Sequence, residues 1–221
     1  MSAVGRHSRM LVASEDNPAA LARSMPLPRP SPGAASRVQL GRAELVLEHS
    51  RGSYSLLWSD GREARRYLLG LSKSGQLSVE LRAPKLPVRI VPRELLTIVP
   101  NARMRGFMTV PLVPTVVWRD GLHPPQTLIE LHQPNLQGHW EESSGHSIRS
   151  AASWLVRFPF QTGEPQVVVP LRLYNDGSEP ACPGQLELEI TDDDLVELRG
   201  SIVVRPRRMR WSETGMKECS E

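Results

Sequence analysis

The sequence predicts an all-β fold, an antiparallel β-sandwich with short helical decorations behind a disordered N-terminal tail. Three observations support this class. From residue 37 onwards, apolar and polar residues alternate with a period of two, as they do in strands that bury one face. Turn signals such as Asp60-Gly61 and Asn175-Asp176-Gly177 separate these runs. The chain also has 20 prolines, above the average share of about 5%, and proline interrupts helices.

The first 36 residues lack a sustained periodic pattern. Residues 25–33 place proline at alternate positions among serine and glycine, a composition that favours an extended, polyproline-like chain. Such a segment buries too little apolar surface to offset the entropy that it loses on ordering. The sequence therefore predicts a disordered proline-rich tail over 1–36, a β-sandwich domain over 37–212 and a C-terminal tail over 213–221.

Four runs show the alternation most clearly. Their apolar positions are Ala43, Leu45 and Leu47; Leu77, Val79 and Leu81; Val167, Val169, Leu171 and Leu173; and Leu186, Leu188 and Ile190. Segments 54–58 and 63–69 flank the turn at Asp60-Gly61, and they are predicted to form a hairpin. Each run therefore predicts a strand with one face towards a core and one towards water.

Helix is predicted only as a minor component. Between residues 86 and 114, apolar segments of strand length end repeatedly in proline. Because proline cannot donate to a strand ladder, these segments are predicted to be strand ends, edges or crossovers between sheets. Short helices are predicted at 92–96 and 192–198, and Thr191 is expected to cap the second one together with Asp194.

Residues 167–190 combine a valine-rich strand, an Asn-Asp-Gly turn and an alternating return strand. This pattern resembles a unit of an immunoglobulin-like sandwich. With the proline-bounded strands of 86–114, it also resembles an uncharacterised prokaryotic β-rich family, domain of unknown function 432, over residues 40–211. The resemblance implies a β-rich fold and carries over no activity, cofactor or site residue.

The composition indicates a cytoplasmic protein. The two cysteines, Cys182 and Cys219, form no Cys-x-x-Cys pair, which fits a reducing compartment. No secretory signal pattern is visible, and no run of ~18 apolar residues could span a bilayer. The formal net charge is +3, and a charge this small does not by itself indicate a nucleic-acid-binding protein.

A histidine-rich stretch is the first candidate site. His132, His139 and His146 recur every seven residues. On a continuous helix this spacing would align the three side chains on one face, where they could ligate zinc. Proline and glycine residues within the stretch break such a helix. A polar surface loop is therefore the alternative interpretation.

An arginine run near the C-terminus is the second candidate site. Arg205, Arg207, Arg208 and Arg210 precede Trp211. Arginines beside an aromatic ring can hold phosphates and stack bases. The alternative is an exposed edge strand that its charges and Pro206 protect against pairing with another chain.

The sequence contains no Gly-x-Ser-x-Gly elbow, Gly-x-Gly-x-x-Gly loop or Walker motif. We therefore expect a non-catalytic protein-interaction or structural module without a cofactor, whose partner is another protein or a second copy of the chain. Two alternatives stay open. One is a metal-dependent enzyme of double-sheet β type that uses the histidines of 132–146. The other is a polyanion-binding or nucleic-acid-binding module that uses the arginines of 205–210.

Overall fold

The chain folds almost entirely into β-strands. The computed structural model describes residues 22–61, 63–70, 75–131, 148–160, 163–212 and 215–219. Within these ranges the chain has seventeen strands, one 3-10 turn at Asp192–Asp194 and no α-helix. The predicted all-β class is therefore confirmed. None of the described residues forms a helix that could cross a lipid bilayer.

The first ten strands are β1 Ser24–Leu27, β2 Ala35–Leu40, β3 Ala43–Ser50, β4 Ser53–Ser59, β5 Ala64–Leu69, β6 Gln76–Arg82, β7 Val88–Pro92, β8 Ala102–Pro111, β9 Val113–Arg119 and β10 Gln126–Glu130. The remaining seven are β11 Ile148–Ala152, β12 Gln166–Asn175, β13 Leu186–Leu188, β14 Val196–Leu198, β15 Ser201–Val203, β16 Arg207–Ser212 and β17 Gly215–Glu218.

These strands form four sheets. Their orders are β2-β3-β4-β5, β1-β6-β9-β10, β11-β7-β13 and β14-β15-β12-β16-β17, the last with β8 also paired to β12. Most pairs are antiparallel, as predicted, but β7–β11, β12–β15 and β12–β16 are parallel. Parallel neighbours need a crossover connection. The chain meets this requirement because it leaves the sheet after β12 and returns to it at β14.

The predicted hairpin at 54–69 is confirmed. Strands β4 and β5 pair antiparallel from Tyr54–Leu69 to Ser59–Ala64, and the Asp60 carboxylate accepts a hydrogen bond of 2.8 Å from the Glu63 backbone N–H in the turn. In β3, Leu45 and Leu47 are fully buried, as their alternation predicts. The inward orientation of Leu171 and Leu173 in β12 is confirmed in the same way.

The predicted boundaries of the domain are corrected at both ends. β1 and the start of β2 lie within the predicted tail, and Leu27 at the end of β1 is 1% exposed. β1 is an edge strand, where Pro26 is tolerated because its missing N–H is not needed by a neighbour. At the other end, β17 follows residue 212 and pairs with β16. Residues 1–21 lie outside the described residues.

Neither predicted helix forms. Pro92 is the last residue of β7 and pairs with Ala152 of β11, so the chain stays extended there. Residues 192–194 make one 3-10 turn, after which the chain becomes strand β14 because it pairs with β15. The predicted capping partner is present, since the Asp194 carboxylate accepts hydrogen bonds of 2.9 Å from the backbone and hydroxyl of Thr191.

The return strand predicted after Asn175-Asp-Gly is strand β13, but it does not pair with β12. It pairs antiparallel with β7 in a different sheet. The buried Asn175 explains the change of direction. Its amide donates to the backbone carbonyls of Ile98 and Glu179, at 2.9 and 2.8 Å, and its carbonyl accepts from the Gly177 N–H. The turn therefore binds neighbouring loops and sends the chain to another sheet.

One continuous hydrophobic core joins the four sheets. Each sheet contributes side chains that are at most 1% exposed, for example Leu45, Leu81, Ile90 and Leu171. Burial of a leucine or isoleucine side chain contributes roughly 1.5–3 kcal/mol. The core therefore fixes the sheets against one another, and the strands carry their polar residues on the outer faces.

Candidate functional site

Strand β12 holds the centre of the candidate site. Its valine-rich sequence suits a strand with neighbours on both sides, and it pairs with β8 along one side and with β15 and β16 along the other. Leu171 and Leu173 point into the core, whereas Arg172 and Tyr174 are half-buried on the opposite face. Successive side chains alternate between the two faces of a strand. Residues 172 and 174 therefore share the outer face.

The strand register brings distant basic residues to this outer face. Arg172 lies opposite Arg105 of β8 and Arg208 of β16. Tyr174 lies opposite Arg103 and Arg210 of the same two strands. Residues directly opposite one another in neighbouring strands point to the same side of the sheet. Two adjacent rows of side chains therefore contain four arginines around one arginine and one tyrosine.

Strand β17 extends the second row, because Lys217 lies opposite Arg210. We name this surface the basic face. It consists of Arg103, Arg105, Arg172, Arg208, Arg210 and Lys217, with Tyr174 among them. With strands about 4.8 Å apart and rows about 7 Å apart, the six cations occupy roughly 14 by 7 Å of the sheet.

The basic face has little internal compensation of charge. Arg210 forms an ion pair with Asp176 at 2.9 Å. Among the described residues, none of the other five cations has a carboxylate within 4.0 Å. Like charges directly opposite one another in a sheet are destabilising. Like charges lie directly opposite one another along Arg105–Arg172–Arg208 and at Arg210–Lys217, so a bound anion would relieve repulsion at these positions.

Arg207 points to the other side of β16. Its register partner is the buried Leu171, and its guanidinium forms ion pairs with Asp194 at 3.1 Å and Glu218 at 3.0 Å. It also donates to the backbone carbonyl of Glu189 at 3.2 Å. Arg207 therefore joins β16 to β17 and to the 3-10 turn, and it does not belong to the basic face.

The carboxylate of Asp194 is ionised more readily than an ordinary aspartate. Partial burial would raise its pKa, but hydrogen bonds from Thr191 and the charge of Arg207 outweigh that effect and lower the pKa below its usual value. The ion pair with Arg207 is therefore present throughout the neutral range.

The four arginines predicted as a polyanion site are thus divided. Arg208 and Arg210 belong to the basic face, whereas Arg207 points to the opposite side of β16. A groove of about 420 Å³ at the start of β16 is lined by Arg172, Arg205, Arg207 and Arg208, with Asp194 and Glu218 on its wall. Both acids bind Arg207. The predicted edge strand is wrong, since β16 lies between β12 and β17. The arginines of β16 therefore do not protect an exposed strand edge, because β17 pairs with β16 along that side.

The proposed zinc ligands His132, His139 and His146 lie outside the described residues. In the part of the chain that the structure describes, no group of three or more His, Cys, Asp and Glu side chains could hold a metal ion. The imidazole of His123 and the carboxylate of Asp120 form a hydrogen bond of 2.8 Å in the turn after β9. That bond, with two backbone N–H groups, lowers the pKa of Asp120 to about 2. This pair stabilises an exposed turn.

Of the basic-face residues, only Arg208 and Arg210 belong to the arginine run that the sequence shows. Arg103 and Arg105 carry a weaker signal, since their separation by two residues in a strand places them on one face. Arg172 and Tyr174 carry the same signal on the polar side of the valine-rich run. The register that joins the three strands is not visible in the sequence, because residues near 104, 173 and 209 are far apart along the chain.

No family model matches the chain, and no curated protein or solved structure is significantly similar to it.

Proposed function

We propose that this protein is a non-catalytic interaction module whose basic face binds a polyanion, with nucleic acid as the favoured class. The observation that carries the proposal is the set of six cations in two adjacent rows, of which only Arg210 has a carboxylate partner among the described residues. The proposed scaffold is a cytoplasmic β-sandwich, in which the core holds the outer face of β8, β12 and β16 in place.

Arginine chemistry favours phosphate as the bound group. The planar guanidinium donates two parallel hydrogen bonds to a phosphate or a carboxylate, and these charge-assisted bonds are about twice as strong as neutral ones. A polymer with regular phosphates can contact several arginines at once and release its counterions on binding. The extended rows of the basic face fit a polymer better than a single small anion.

The side chains of this face favour binding over catalysis. A guanidinium keeps its proton at every accessible pH, and an exposed ammonium is protonated near neutrality. These groups donate hydrogen bonds but do not accept a proton from a substrate. The proposed role is therefore to hold a partner and not to transform it.

The test is a binding titration with a matched charge control. A fluorescently labelled oligonucleotide of about 20 nucleotides, longer than a typical site of ~4–16 nucleotides, is titrated with the chain at several salt concentrations. We expect a Kd of about 10⁻⁶ M or below at physiological salt, tighter than most nonspecific binding. The triple variant Arg105→Gln, Arg172→Gln, Arg208→Gln should weaken binding at least about tenfold. Its log K against log salt slope should be shallower by roughly 2–3.

The control variant is Arg37→Gln, Arg42→Gln, Arg65→Gln. These arginines are 68%, 90% and 55% exposed, and each is paired with a glutamate away from the basic face. The control removes the same net charge, but it does so away from the basic face. It should therefore change affinity less than about threefold, because salt screens distant charges. Equal losses in both variants, or no oligonucleotide binding by the wild-type chain, would overturn the proposal. Binding confined to an acidic protein or to a second copy would do the same.

A further inference from the structure

A line of aromatic side chains continues the basic face. Phe107 lies two residues after Arg105 in β8, so it shares the outer face with that arginine. Leu155 pairs with Phe107 through two backbone hydrogen bonds of 2.8 and 2.9 Å. After this bridge the chain passes from β8 towards β15, where the Pro159 backbone carbonyl accepts a hydrogen bond of 3.5 Å from the Ser201 hydroxyl. Phe107, one row along β8 from Arg105, therefore connects the arginine rows to the phenylalanines of this segment.

Three rings are in contact in this segment. Phe107 and Phe158 meet edge to face, with ring centroids 5.4 Å apart, and Phe158 and Phe160 are tilted at 4.7 Å. The first two rings are half-buried, but Phe160 is 57% exposed and Val156 is 79% exposed. The line therefore starts beside the cations and ends in a ring that is open to solvent. A ring supported on one side by another ring is a platform on which a further flat group can stack.

We infer that the polyanion of the proposed function is a single-stranded nucleic acid, and this inference rests on that function. The phosphates lie on the arginines of the basic face, and an unpaired base stacks on Phe160. Cations combined with aromatic platforms are the two elements by which proteins hold single strands without reading their sequence. Bases supply the flat π-face, and the backbone supplies the regular charge.

A duplex fits this surface less well. Its bases are stacked and paired inside the helix, so they cannot lie on an exposed phenylalanine. Reading a duplex from the major groove needs an α-helix or a two-stranded ribbon that enters it. The basic face is spread over four neighbouring strands, and no α-helix occurs in the described ranges. A broad sheet surface with aromatic rings at its side favours a single-stranded nucleic acid, which can lie across the sheet.

The test compares probes that separate charge from stacking. The wild-type chain is titrated with a labelled oligothymidylate of about 12 nucleotides, a duplex of the same length and inorganic polyphosphate, which carries charge without bases. We expect the single strand to bind at least about fivefold more tightly than either competitor. Phe160→Ala should weaken single-strand binding by roughly 5- to 150-fold, equivalent to ~1–3 kcal/mol per stacked base. It should leave polyphosphate binding and the salt slope unchanged.

Two further variants identify the cause of any loss. Phe160→Leu keeps an apolar side chain without a π-face, so it should behave like Phe160→Ala. Leu122→Ala removes an apolar group that is more exposed, at 87%, in the turn between β9 and β10, and it should bind as the wild type does. Thermal unfolding of each variant confirms that the fold is kept, which is expected because both side chains are exposed.

The outcomes separate the inference from the proposed function. If Phe160→Ala binds the single strand normally while the arginine triple variant does not, the inference fails and the proposed function stands. If the duplex or polyphosphate binds as tightly as the single strand, the inference fails in the same way. Tighter binding to anionic phospholipid vesicles would assign Phe160 and Val156 to a lipid surface and would also overturn it. If no polyanion binds, both fail.

Discussion

Arg207 and Arg208 are neighbours in the sequence with opposite environments. Arg207 is only 19% exposed in its side chain and neutralises two acids that belong to other elements. Arg208 is exposed, and it has no carboxylate partner among the described residues. The difference follows from the alternation of faces along β16, because a shift of one residue exchanges the inner and outer sides of a strand. One arginine therefore contributes to stability, whereas its neighbour belongs to the surface that we propose for binding.

This division predicts opposite results for two chemically identical substitutions. Arg207→Gln leaves Asp194 and Glu218 without their ion-pair partner, so the free energy of unfolding should fall by about 1–3 kcal/mol. Arg208→Gln should change it by less than about 0.5 kcal/mol. Urea unfolding, monitored by tryptophan fluorescence, measures both free energies of unfolding. If the two variants were equally stable, Arg207 would not have the structural role that its contacts indicate.

At the scale of elements, the segment 154–160 is joined to β8 at a glycine. The Trp154 ring packs directly on Gly106, where a β-carbon would collide with the indole. Gly106 is buried and pairs with Leu171 of the central strand. The glycine therefore provides the space in which Trp154 sits, and Trp154 with the Leu155 bridge fixes the start of the segment that carries Phe158 and Phe160.

The smallest change that tests this arrangement is Gly106→Ala. The added methyl group should displace Trp154 and lower the free energy of unfolding by about 1–3 kcal/mol, the usual cost of overpacking. Tryptophan fluorescence at low denaturant should also change, since the indole moves. The matched control is Gly70→Ala, because nothing lies within 4 Å of a β-carbon there and its φ is not positive. An unaltered Gly106→Ala protein would show that the segment is held by other contacts.

The sequence predicts individual strands better than it predicts their neighbours. The alternation in β12 correctly identifies Leu171 and Leu173 as core residues and Arg172 as an outer residue, because side-chain direction depends only on local period. Pairing between β8, β12 and β16 depends on how distant hydrophobic faces fit together. The basic face therefore cannot be recognised from the sequence alone, although the alternation within its strands can be seen there.

At the scale of the whole molecule, the N-terminal strand ties two parts of the fold together. Leu27 of β1 is buried in the common core. The Arg23 guanidinium donates to the backbone carbonyl of Asp192 at 2.8 Å, and the Arg23 backbone N–H donates to Glu197 at 2.6 Å. Local composition predicted disorder here, but the long-range contacts and the open edge of β6 override the weak preference of a proline-rich segment.

Two N-terminal deletions test the role of β1. Removal of residues 1–21 should leave the free energy of unfolding within about 0.5 kcal/mol of the full chain. Removal of residues 1–30 also deletes β1, so it should cost more than about 2 kcal/mol because Leu27 and the Arg23 contacts are lost. Chemical denaturation of the purified chains gives both values. Equal stability of the two deletions would contradict the role assigned to β1.

The pairing of β12 also has a consequence for the order of events during synthesis. Residues 166–175 must find partners at 102–111, more than fifty residues earlier, and at 207–210, which follow later. Such non-local pairings make folding slow, because loop closure precedes the stabilising contacts. Arg208, Arg210 and Lys217 join the surface only after the ribosome has added β16 and β17. A nascent chain that lacks β16 and β17 therefore cannot assemble the full rows of cations, and the surface that we propose for binding forms only once both strands have been synthesised.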